Sequence, residues 1–436
     1  MVNHPSSDQT EPSAELVTAS GVSRSIYTDE EVFAREMRQI YGNTWVYIAH
    51  ESQVRHSGDY ITTRMGSAPV ILSRDEVGGL HLLYNRCIHR GATVCQDARG
   101  NANFFRCHYH GWTYRNAGDL TGVPFPKGYG ERLDELKSRG LERVAHVASH
   151  RGFVFAHTGT PERTLAEHLA PLDPYLDRFI ASVPGEGVQL AEPPYRYTYD
   201  GNWKFQLENA VDGYHPALVH LSFMKVMGRR TGSQSNPYKS DDGPVRVRAL
   251  PHGHAVLDLM KARTTSERGE EFGDSYLDRA RMAPGGQALI DELQRDIGET
   301  ATARALEADN DFNLAIFPNL MIIQSQIRVV YPLSARRTEV YGWATLGHHA
   351  HPLINQLRLR MQEVFNGPAG LGSPDDLEMF DRCQVGLESG VDEDVIFWRG
   401  LDREQTEDDV VVGRGSDETP FRGQYREWWR LMGSSA

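Results

Sequence analysis

Short apolar runs separated by turn residues dominate the chain between about residues 45 and 160. Gly, Pro and Asp interrupt these runs at the spacing typical of an antiparallel β domain, so we predict strands here rather than long helices. A capping box from Thr28 to Glu31 precedes them and predicts a helix that runs to about Tyr41. The predicted strands are Trp45–Ala49, Tyr60–Arg64, Val70–Ser73 and Leu80–Asn85, and Gly152–His157 closes the region.

The second half of the chain mixes helical and strand periodicities. Glu162–Ile180 has a helical pattern that Pro171 and Pro174 are expected to break into two short pieces, and the polar segment Glu267–Asp309 is predicted to be helical or loop-like. The predicted strands are Tyr195–Tyr199, Val245–Leu250, Ala255–Leu259, Leu314–Phe317, Leu320–Gln326, Arg328–Pro332 and Thr338–Gly347. The predicted helices are Trp203–Val211, Leu353–Phe365, Asp375–Ser389 and Gln424–Met432.

These patterns divide the chain into four parts and predict an α+β protein. Residues 1–24 are polar and are expected to form a flexible N-terminus. Residues 25–44 are expected to form a helix that packs on the larger domain. Residues 45–160 form the predicted all-β domain, and residues 161–436 form a predicted domain with an antiparallel sheet flanked by helices.

The composition excludes several classes of protein. The chain has 436 residues, a formal net charge of −13 and four Cys. No apolar stretch approaches the ~18 residues that a membrane-spanning helix needs, and the acidic balance argues against nucleic acid or an anionic membrane as partner. The N-terminus lacks the apolar region of a secretory signal, and four Cys are too few for a disulfide framework. We therefore expect a cytoplasmic protein.

Two Cys/His pairs lie in loops between predicted strands of the β domain. They are Cys87-Ile88-His89 and Cys107-His108-Tyr109-His110. Two thiolates and two imidazoles can hold zinc, but zinc loops usually place Cys beside Cys. Loops that each mix one Cys with one His favour a Rieske [2Fe–2S] cluster, with zinc or a chance occurrence as the alternatives. Cys95 and Cys383 have no His at ligand spacing and are expected to be buried thiols.

A second group of potential metal ligands follows the helix predicted at Trp203–Val211. Asp212 and His215 are three residues apart and share a helix face, whereas His215 and His220 would diverge by about 140° on a straight helix. We expect Pro216 to break the helix and to push His215 out of the α region, so that both imidazoles face one point. Without further signals, such a pair is more often one core and one surface His.

The segments around these residues resemble Rieske non-haem iron aromatic-ring hydroxylating oxygenases, and in particular their large (α) subunits of the benzoate, terephthalate and salicylate type. The resemblance rests on the segments Asn85–Ala92, Cys107–Tyr114 and Glu208–His220. It implies that residues 45–160 are a Rieske domain and residues 161–436 a catalytic domain. It also implies that Cys87 and Cys107 hold one iron of the cluster, that His89 and His110 hold the other, and that His215 and His220 bind a mononuclear Fe(II).

The resemblance places the third ligand of this Fe(II) far downstream, in the segment Ser373–Glu378. Ser373 is predicted to be the N-cap of a helix with Pro374 at its first position, and acids in a first turn often serve only the helix dipole. The family pattern favours Asp376 as the ligand, with Asp375 as the alternative. Two His and one carboxylate would leave positions open for O₂.

Asn209 and Asp212 are the other residues that the resemblance implies in catalysis. In the family the Asp bridges the two kinds of metal site between subunits. Here it implies that Asp212 connects His215 with His110 of a neighbouring subunit and orients both rings. Such a bridge implies a homotrimer, with or without a small β subunit that would complete an α3β3 assembly.

The source of electrons is expected to lie outside this chain. Gly413–Ser416 lacks the third Gly and the strand–helix context of a dinucleotide-binding fingerprint, so we predict a surface loop there. A separate reductase or ferredoxin would supply the electrons, and NAD(P)H would be used only indirectly. A group of arginines near the cluster loops either steers an acidic donor or forms an ordinary solvated face: Arg90, Arg99, Arg106 and Arg115.

The resemblance implies hydroxylation of an aromatic ring with O₂ to a cis-dihydrodiol or a phenol. The substrate would be an aromatic carboxylate of the benzoate, terephthalate, phthalate or salicylate type. Arg328 lies in an apolar strand, where a charge is costly unless it is paired, and is the candidate that binds this carboxylate. Glu378 or Glu388 are alternative partners of Arg328, and Arg399 and His348 are other candidate anchors. A Rieske monooxygenase or oxidative demethylase, and more remotely a zinc-stabilised binding protein, are the alternative functions.

Overall fold

The computed structural model describes residues 16–231, 243–259, 280–281, 283–307, 312–391 and 394–433. The first elements are a short strand β1 (Gly21–Val22), a single helical turn α1 (Ser25–Thr28) and the helix α2 (Glu30–Asn43). The side chain of Asp29 accepts hydrogen bonds from the amides of Glu31 and Val32. Asp29 therefore caps α2, and the capping box that we predicted from Thr28 is wrong because Thr28 belongs to α1.

An all-β domain follows, in which every strand pairing is antiparallel. Its strands form one four-stranded sheet in the order β5-β4-β3-β6 and two three-stranded sheets in the orders β7-β8-β9 and β10-β11-β2. A short helix, α3 (Leu133–Lys137), lies between β9 and β10. The strands are β2 (Val46–His50), β3 (Asp59–Met65), β4 (Ala68–Arg74), β5 (Leu80–Tyr84), β6 (Arg99–Asn101), β7 (Phe104–Arg106), β8 (Thr113–Arg115), β9 (Leu120–Gly122), β10 (His146–His150) and β11 (Phe153–His157).

Two short helices, α4 (Leu165–Leu169) and α5 (Asp173–Ala181), connect the two domains. A 3-10 turn at Ala170–Leu172 separates them, so the predicted break at Pro171 is confirmed. The helices that follow are α6 (Lys204–Val211), α7 (Pro216–Val219), α8 (Leu221–Thr231), α9 (Gly286–Ile297), α10 (Glu299–Glu307), α11 (Pro352–Phe365), α12 (Ser373–Leu387) and α13 (Thr419–Gly433). Part of the predicted segment Glu267–Asp309 lies outside the described residues, and α9 and α10 occupy most of the rest.

A ten-stranded antiparallel sheet forms the centre of the larger domain. Its order is β12-β19-β18-β17-β16-β15-β14-β22-β21, and β13 also pairs with β19. A separate short strand, β20, pairs with β1. The strands are β12 (Val188–Leu190), β13 (Tyr195–Tyr199), β14 (Arg246–Ala249), β15 (Ala255–Asp258), β16 (Phe312–Ile316), β17 (Leu320–Ile323), β18 (Gln326–Ser334), β19 (Arg337–Gly347), β20 (Val395–Ile396), β21 (Gln405–Glu407) and β22 (Val410–Arg414).

Two sequence predictions in this sheet need correction. The strand predicted at Leu320–Gln326 ends at Ile323 because Gln324, with φ of 54°, turns the chain and Gln326 already pairs back with Ile323. The loop predicted at Gly413–Ser416 is not a free surface loop. Gly413 and Arg414 complete β22, which pairs with β14.

Helices and the β domain cover the large sheet on both faces. One face packs on α6 and α13 through a core that includes Trp203, Met321 and Trp428 and extends to Leu72 of the β domain. The other face packs on the connecting helices through a second core. This architecture confirms the predicted α+β class. No helix in the part of the chain that the structure describes is long and apolar enough to cross a membrane.

Candidate metal centres

The two loops that carry the Cys/His pairs have the same backbone frame. In the first, the amide of Cys87 donates to Ala92 and the amide of Gly91 donates back to Cys87; in the second, Cys107 pairs with Trp112 and Gly111 with Cys107 in the same way. Gly91 and Gly111 have φ of 76° and 72°, a left-handed conformation that favours glycine. The chain therefore presents one Cys and one His from each of two matching turns.

The four side chains meet so that the two thiols are buried and the two imidazoles lie nearer the protein surface. Cys87 and Cys107 are each 2% exposed. The rings of His89 and His110 lie 4.5 Å apart, and His89 stacks on Trp112 with ring centroids 4.8 Å apart. Nδ1 of His89 is buried and has no hydrogen-bond partner among the described residues. Two buried thiols and a free imidazole nitrogen fit a [2Fe–2S] cluster whose His side faces the surface.

The second centre joins three elements of the larger domain. His215 precedes α7, His220 lies between α7 and α8, and Asp376 lies in the first turn of α12. Oδ1 of Asp376 lies 3.6 Å from Nε2 of His215 and 3.2 Å from Nε2 of His220. Their ligand atoms all lie within 4.8 Å of one another. Two imidazole nitrogens and one carboxylate oxygen would bind one side of an iron ion and leave its other coordination positions open.

The chain turns before His215 and not at Pro216 as we predicted. α6 ends at Val211, and Asp212 has extended φ and ψ of −85° and 112°. His215 itself is helical, with φ of −62° and ψ of −34°, so the expectation that Pro216 pushes it out of the α region is wrong. Pro216 occupies the first position of α7, where its missing N–H costs nothing. The break between α6 and α7 is what lets both imidazoles point at Asp376.

Asn209 and Asp212 orient the ligands of this centre. The Nδ2 atom of Asn209 lies 3.2 Å from both His215 Nε2 and Asp376 Oδ1. Oδ1 of Asp212 accepts a hydrogen bond from the amide of Tyr214, and its Oδ2 lies 3.1 Å from His215 Nδ1. Burial alone would lower the pKa of His215, but contact with Asp212 and the charge of Asp376 raise it. A carboxylate on Nδ1 holds the ring so that Nε2 faces the metal side.

The structure discriminates between the two candidate carboxylates. Oδ2 of Asp375 lies 3.9 Å from His220 Nδ1, on the side of the ring away from the convergence point. Asp376 is buried and points into it. Ser373 is the first residue of α12 rather than its cap, and its hydroxyl donates to the carbonyl of Asn366, so the predicted N-cap is wrong.

Arg328 lies in β18 and reaches α6. Its Nη1 donates to Gln206 Oε1 at 3.0 Å, and its Nη2 donates to Gln326 Oε1 at 3.2 Å. It pairs with neither Glu378 nor Glu388, since the first binds Arg382 and the second binds Gln384 and Arg336. Those alternative partners are therefore wrong.

The two other candidate anchors have different partners. The Arg399 guanidinium lies over the Tyr214 ring at 4.3 Å and donates to Ser416. His348 contacts Arg55 and Gln189 near the surface. Cys95 is buried as expected, whereas Cys383 is exposed, which corrects the prediction for that residue.

The sequence did not single out several residues that the structure places beside these centres. Gln206, Gln326 and two tyrosines of β13 surround Arg328, and Glu208 lies on α6 between the tyrosines Tyr27 and Tyr425. The alternation Tyr195-Arg196-Tyr197 was a usable signal, because residues two apart share a strand face. No local signal connects Gln206 to Arg328, since 122 residues separate them.

Comparison with known families identifies the class that the fold and both centres define. Residues 44–139 match the model of the Rieske [2Fe–2S] domain, and residues 190–434 match that of the ring hydroxylating alpha subunit (catalytic domain). The chain belongs to the family of Rieske-type ring-hydroxylating dioxygenase large subunits, which confirms the resemblance drawn from the motifs. The family's cofactors, one [2Fe–2S] cluster and one mononuclear iron, are those that we predicted. Members are oxygenase components that use O₂ and a reductase or ferredoxin.

Individual relatives cover nearly the whole chain. The 2-halobenzoate 1,2-dioxygenase large subunit of Burkholderia cepacia is 33% identical over 87% of this chain and 79% of its own. The toluate 1,2-dioxygenase subunit alpha of Pseudomonas putida is 34% identical over 94% and 90%. A solved structure of naphthalene 1,2-dioxygenase with indole bound in the active site has a TM-score of 0.77 at 29% identity, over 96% of this chain and 94% of that one.

Proposed function

We propose that this oxygenase hydroxylates an aromatic carboxylate and that Arg328 binds the carboxylate group. The observation that carries the proposal is a buried guanidinium that pairs with no carboxylate among the described residues and reaches the helix before the iron site. Three relatives support the same class of substrate, since their names specify 2-halobenzoate, toluate and anthranilate, whereas others are named for naphthalene, a neutral hydrocarbon.

The known partners of Arg328 leave its charge uncompensated. Arg328 is 3% exposed, and its partners among the described residues are the neutral amide oxygens of Gln206 and Gln326 and the hydroxyl of Tyr195. A buried cation without an anion is costly, and a guanidinium matches a carboxylate through two parallel hydrogen bonds. A substrate carboxylate would supply the missing negative charge.

Further unpartnered polar atoms lie in the same place. Nε of Arg328, Nε2 of Gln326 and the hydroxyl of Tyr197 are buried without a hydrogen-bond partner in the described part of the chain. Buried polar atoms in native proteins nearly always have partners, and each of these three can donate. A group of free donors around a cation suits an anionic ligand better than a neutral one.

The same group lies within electrostatic reach of the iron site. Burial alone would lower the pKa of Arg328, but Tyr197, Tyr195 and Asp376 raise it. Asp376 likewise adds to the burial that raises the pKa of Tyr197. Arg328 therefore stays charged beside a ligand of the iron, where a bound carboxylate would place the attached ring close to the centre.

We further propose the ligand sets that the sequence predicted. Cys87, Cys107, His89 and His110 would hold the cluster, and His215, His220 and Asp376 would hold the iron, with Asp212 and Asn209 fixing the orientation of these ligands. When bound, the two centres supply electrons and activate O₂ for addition to the ring. The residues of the chain bind the substrate, orient the ligands and exclude water.

The substitution Arg328→Met tests the substrate class. We expect KM for benzoate to rise by about 10- to 100-fold, because a hydrogen bond to a charged group contributes about 1.5–3 kcal/mol and about 1.4 kcal/mol corresponds to a factor of ten. KM for a neutral aromatic of similar size should change far less. Products formed from isotope-labelled O₂ over a panel of benzoates then distinguish a cis-dihydrodiol from a phenol.

Arg358 provides a matched control for this experiment. It is as buried as Arg328, but its guanidinium donates to the carbonyl and hydroxyl of Thr345. Arg358→Met should lower the free energy of unfolding and leave the preference between benzoate and the neutral aromatic as in the unsubstituted enzyme. If benzoates are inert in the unsubstituted enzyme while neutral hydrocarbons react, Arg328 is not an anchor and the proposal fails.

We also propose that the enzyme is a homotrimer in which the cluster of one chain serves the iron of the next, with a small subunit completing the assembly. Exposed residues on both sides support this arrangement. His110 and Tyr109 are exposed at the cluster, and Tyr214 and Leu218 are exposed beside His215. Asp212 is only half-buried, so it can accept a further hydrogen bond from His110 of a neighbouring chain.

A further inference from the structure

Three oxygen atoms form a closed triangle on the side of α6. The hydroxyl of Tyr27, in α1, lies 2.8 Å from Oε1 of Glu208 and 2.8 Å from the hydroxyl of Tyr425, in α13. The hydroxyl of Tyr425 also contacts the same Oε1. Each side of the triangle is therefore at hydrogen-bond distance.

The number of protons decides the state of the carboxyl group. Each tyrosine carries one hydroxyl proton. If Glu208 were ionised, the two tyrosine protons would serve only two of the three contacts, and the third contact would join two lone pairs. A proton on Glu208 provides one hydrogen for each contact. Glu208 then donates to Tyr425, Tyr425 to Tyr27, and Tyr27 back to Glu208, which closes the ring.

The tyrosines cannot easily turn away from this arrangement. The ring of Tyr27 stacks on Phe205 with centroids 5.0 Å apart, and the ring of Tyr425 stacks on Phe397 at 5.5 Å. Both tyrosines are buried. Packing therefore fixes the two hydroxyl groups against each other, whatever the charge on Glu208.

The surroundings of Glu208 favour the same state. Burial, aided by the charge of Asp212, raises the pKa of Glu208 to about 7 against the opposing effects of Tyr425, Tyr27 and Lys204. The ammonium of Lys204 is itself paired with Glu36 at 2.6 Å. The titratable groups that interact with Glu208 are Tyr27, Tyr199, Lys204, Asp212, Cys383 and Tyr425.

We propose that Glu208 is a protonated positioning residue that acts through Asp212. Glu208 lies one helical turn before Asp212, and two negative charges at this spacing repel each other. While Glu208 is neutral, Asp212 keeps its position against His215 and its free lone pairs. The ring with Tyr27 and Tyr425 thereby connects the iron-site loop to helices from both ends of the chain.

Infrared spectroscopy of the holoenzyme tests the protonation directly. At about pH 6, below the raised pKa, the difference between the unsubstituted enzyme and Glu208→Gln should contain the carbonyl stretch of a protonated carboxyl group. Glu162→Gln, at an exposed glutamate that pairs with Arg430, is the control and should remove only carboxylate bands. A Glu208→Gln difference that also contains only carboxylate bands would overturn the proposal.

The dependence of activity on pH tests the positioning role. In the unsubstituted enzyme, activity should fall as pH rises through the range in which Glu208 ionises. In Glu208→Gln, which keeps a neutral side chain of the same shape, this alkaline decline should move upward by about one pH unit or more. If the activity of the two proteins declines identically at alkaline pH, Glu208 does not have the positioning role.

Discussion

The hydroxyl group of Tyr114 contacts a sulfur atom of the cluster site. The Tyr114 hydroxyl lies 3.1 Å from Cys87 Sγ, and both residues are buried. Burial, and next the contact with Cys87, raise the pKa of Tyr114, so the hydroxyl keeps its proton and can donate to the thiolate. Hydrogen bonds to the sulfurs are one of the factors that set the potential of an iron–sulfur centre.

We predict that Tyr114→Phe lowers the reduction potential of the cluster. In the unsubstituted protein this hydrogen bond stabilises the reduced cluster, which is richer in electrons, so its loss lowers the potential. A difference of about 1.4 kcal/mol corresponds to about 60 mV for one electron. A spectroscopic redox titration measures the change. Tyr129→Phe, which removes a hydroxyl near Trp112 instead, should leave the potential where it was; equal potentials in all three proteins would exclude the effect.

The sequence predicted residue types at the sites better than their contacts. Cys87, His89, Cys107 and His110 stand in short motifs whose spacing reflects their shared chemistry. The contact of Tyr114 with Cys87 crosses 27 residues and depends on how β8 pairs with β7. Such contacts are properties of the folded sheet, and nothing in the local sequence encodes them.

At the scale of elements, the break between α6 and α7 is the feature that forms the iron site. The sequence indicated that the helix must break but suggested the wrong residue, because Pro216 is the strongest helix breaker in the segment. The chain turns at Asp212 and Gly213 instead, where Gly213 packs against Gly415 after β22. The predicted surface loop at Gly413–Ser416 did not anticipate this tertiary contact, which leaves no room for a side chain at the turn.

We predict that Gly213→Ala reduces both stability and iron content. Its Cβ would collide with the carbonyl oxygen of Gly415 and press on Leu257, and overpacking of this kind costs about 1–3 kcal/mol. The displaced loop would also move His215 away from Asp376. Urea unfolding gives the free energy of unfolding, and metal analysis gives the iron bound per chain.

Gly386→Ala is the matched control for this substitution. Gly386 lies in α12, and apart from the neighbouring backbone of the helix no described atom lies within 4 Å of the position of an added Cβ. Alanine should therefore raise the free energy of unfolding by up to about 1 kcal/mol through its helix propensity and leave iron binding unaffected. If Gly213→Ala behaves like this control, the loop does not depend on the close approach to Gly415.

At the scale of the whole molecule, the strand order and the pairing of distant strands mark the limit of the sequence analysis. Alternating patterns predicted most strands of the large sheet to within a few residues, and the α+β class followed from them. The sequence carried no signal for the pairing of β14 with β22 or of β1 with β20, since those partners lie far apart along the chain. It also gave no signal that Glu36, in α2, binds both Lys204 and Trp428.

We predict that Asp212→Ala keeps both metals and loses turnover. Asp212 is not among the three residues that converge on the iron position, so metal content should remain full. Its loss would remove the carboxylate that orients His215 and that we expect to connect His215 with His110 of a neighbouring chain. Metal analysis, rates of product formation and the rate of electron transfer from the reduced cluster to the iron measure the two effects separately.

Two outcomes bear on the proposed assembly. Normal product formation in Asp212→Ala with full iron content would exclude the bridge. A mass of one chain, 49.0 kDa, in solution for a fully active enzyme would exclude the trimer itself.

The contact between Tyr27 and Tyr425 spans 398 residues, and that between Glu208 and Tyr425 spans 217. His215 and His220 are therefore synthesised long before α13, the helix that carries Tyr425. The loops of the cluster site, in contrast, complete their hydrogen bonds between residues 87 and 112. During biosynthesis, we therefore expect the cluster site to form while translation continues, and the iron site to be complete only after α13 has docked.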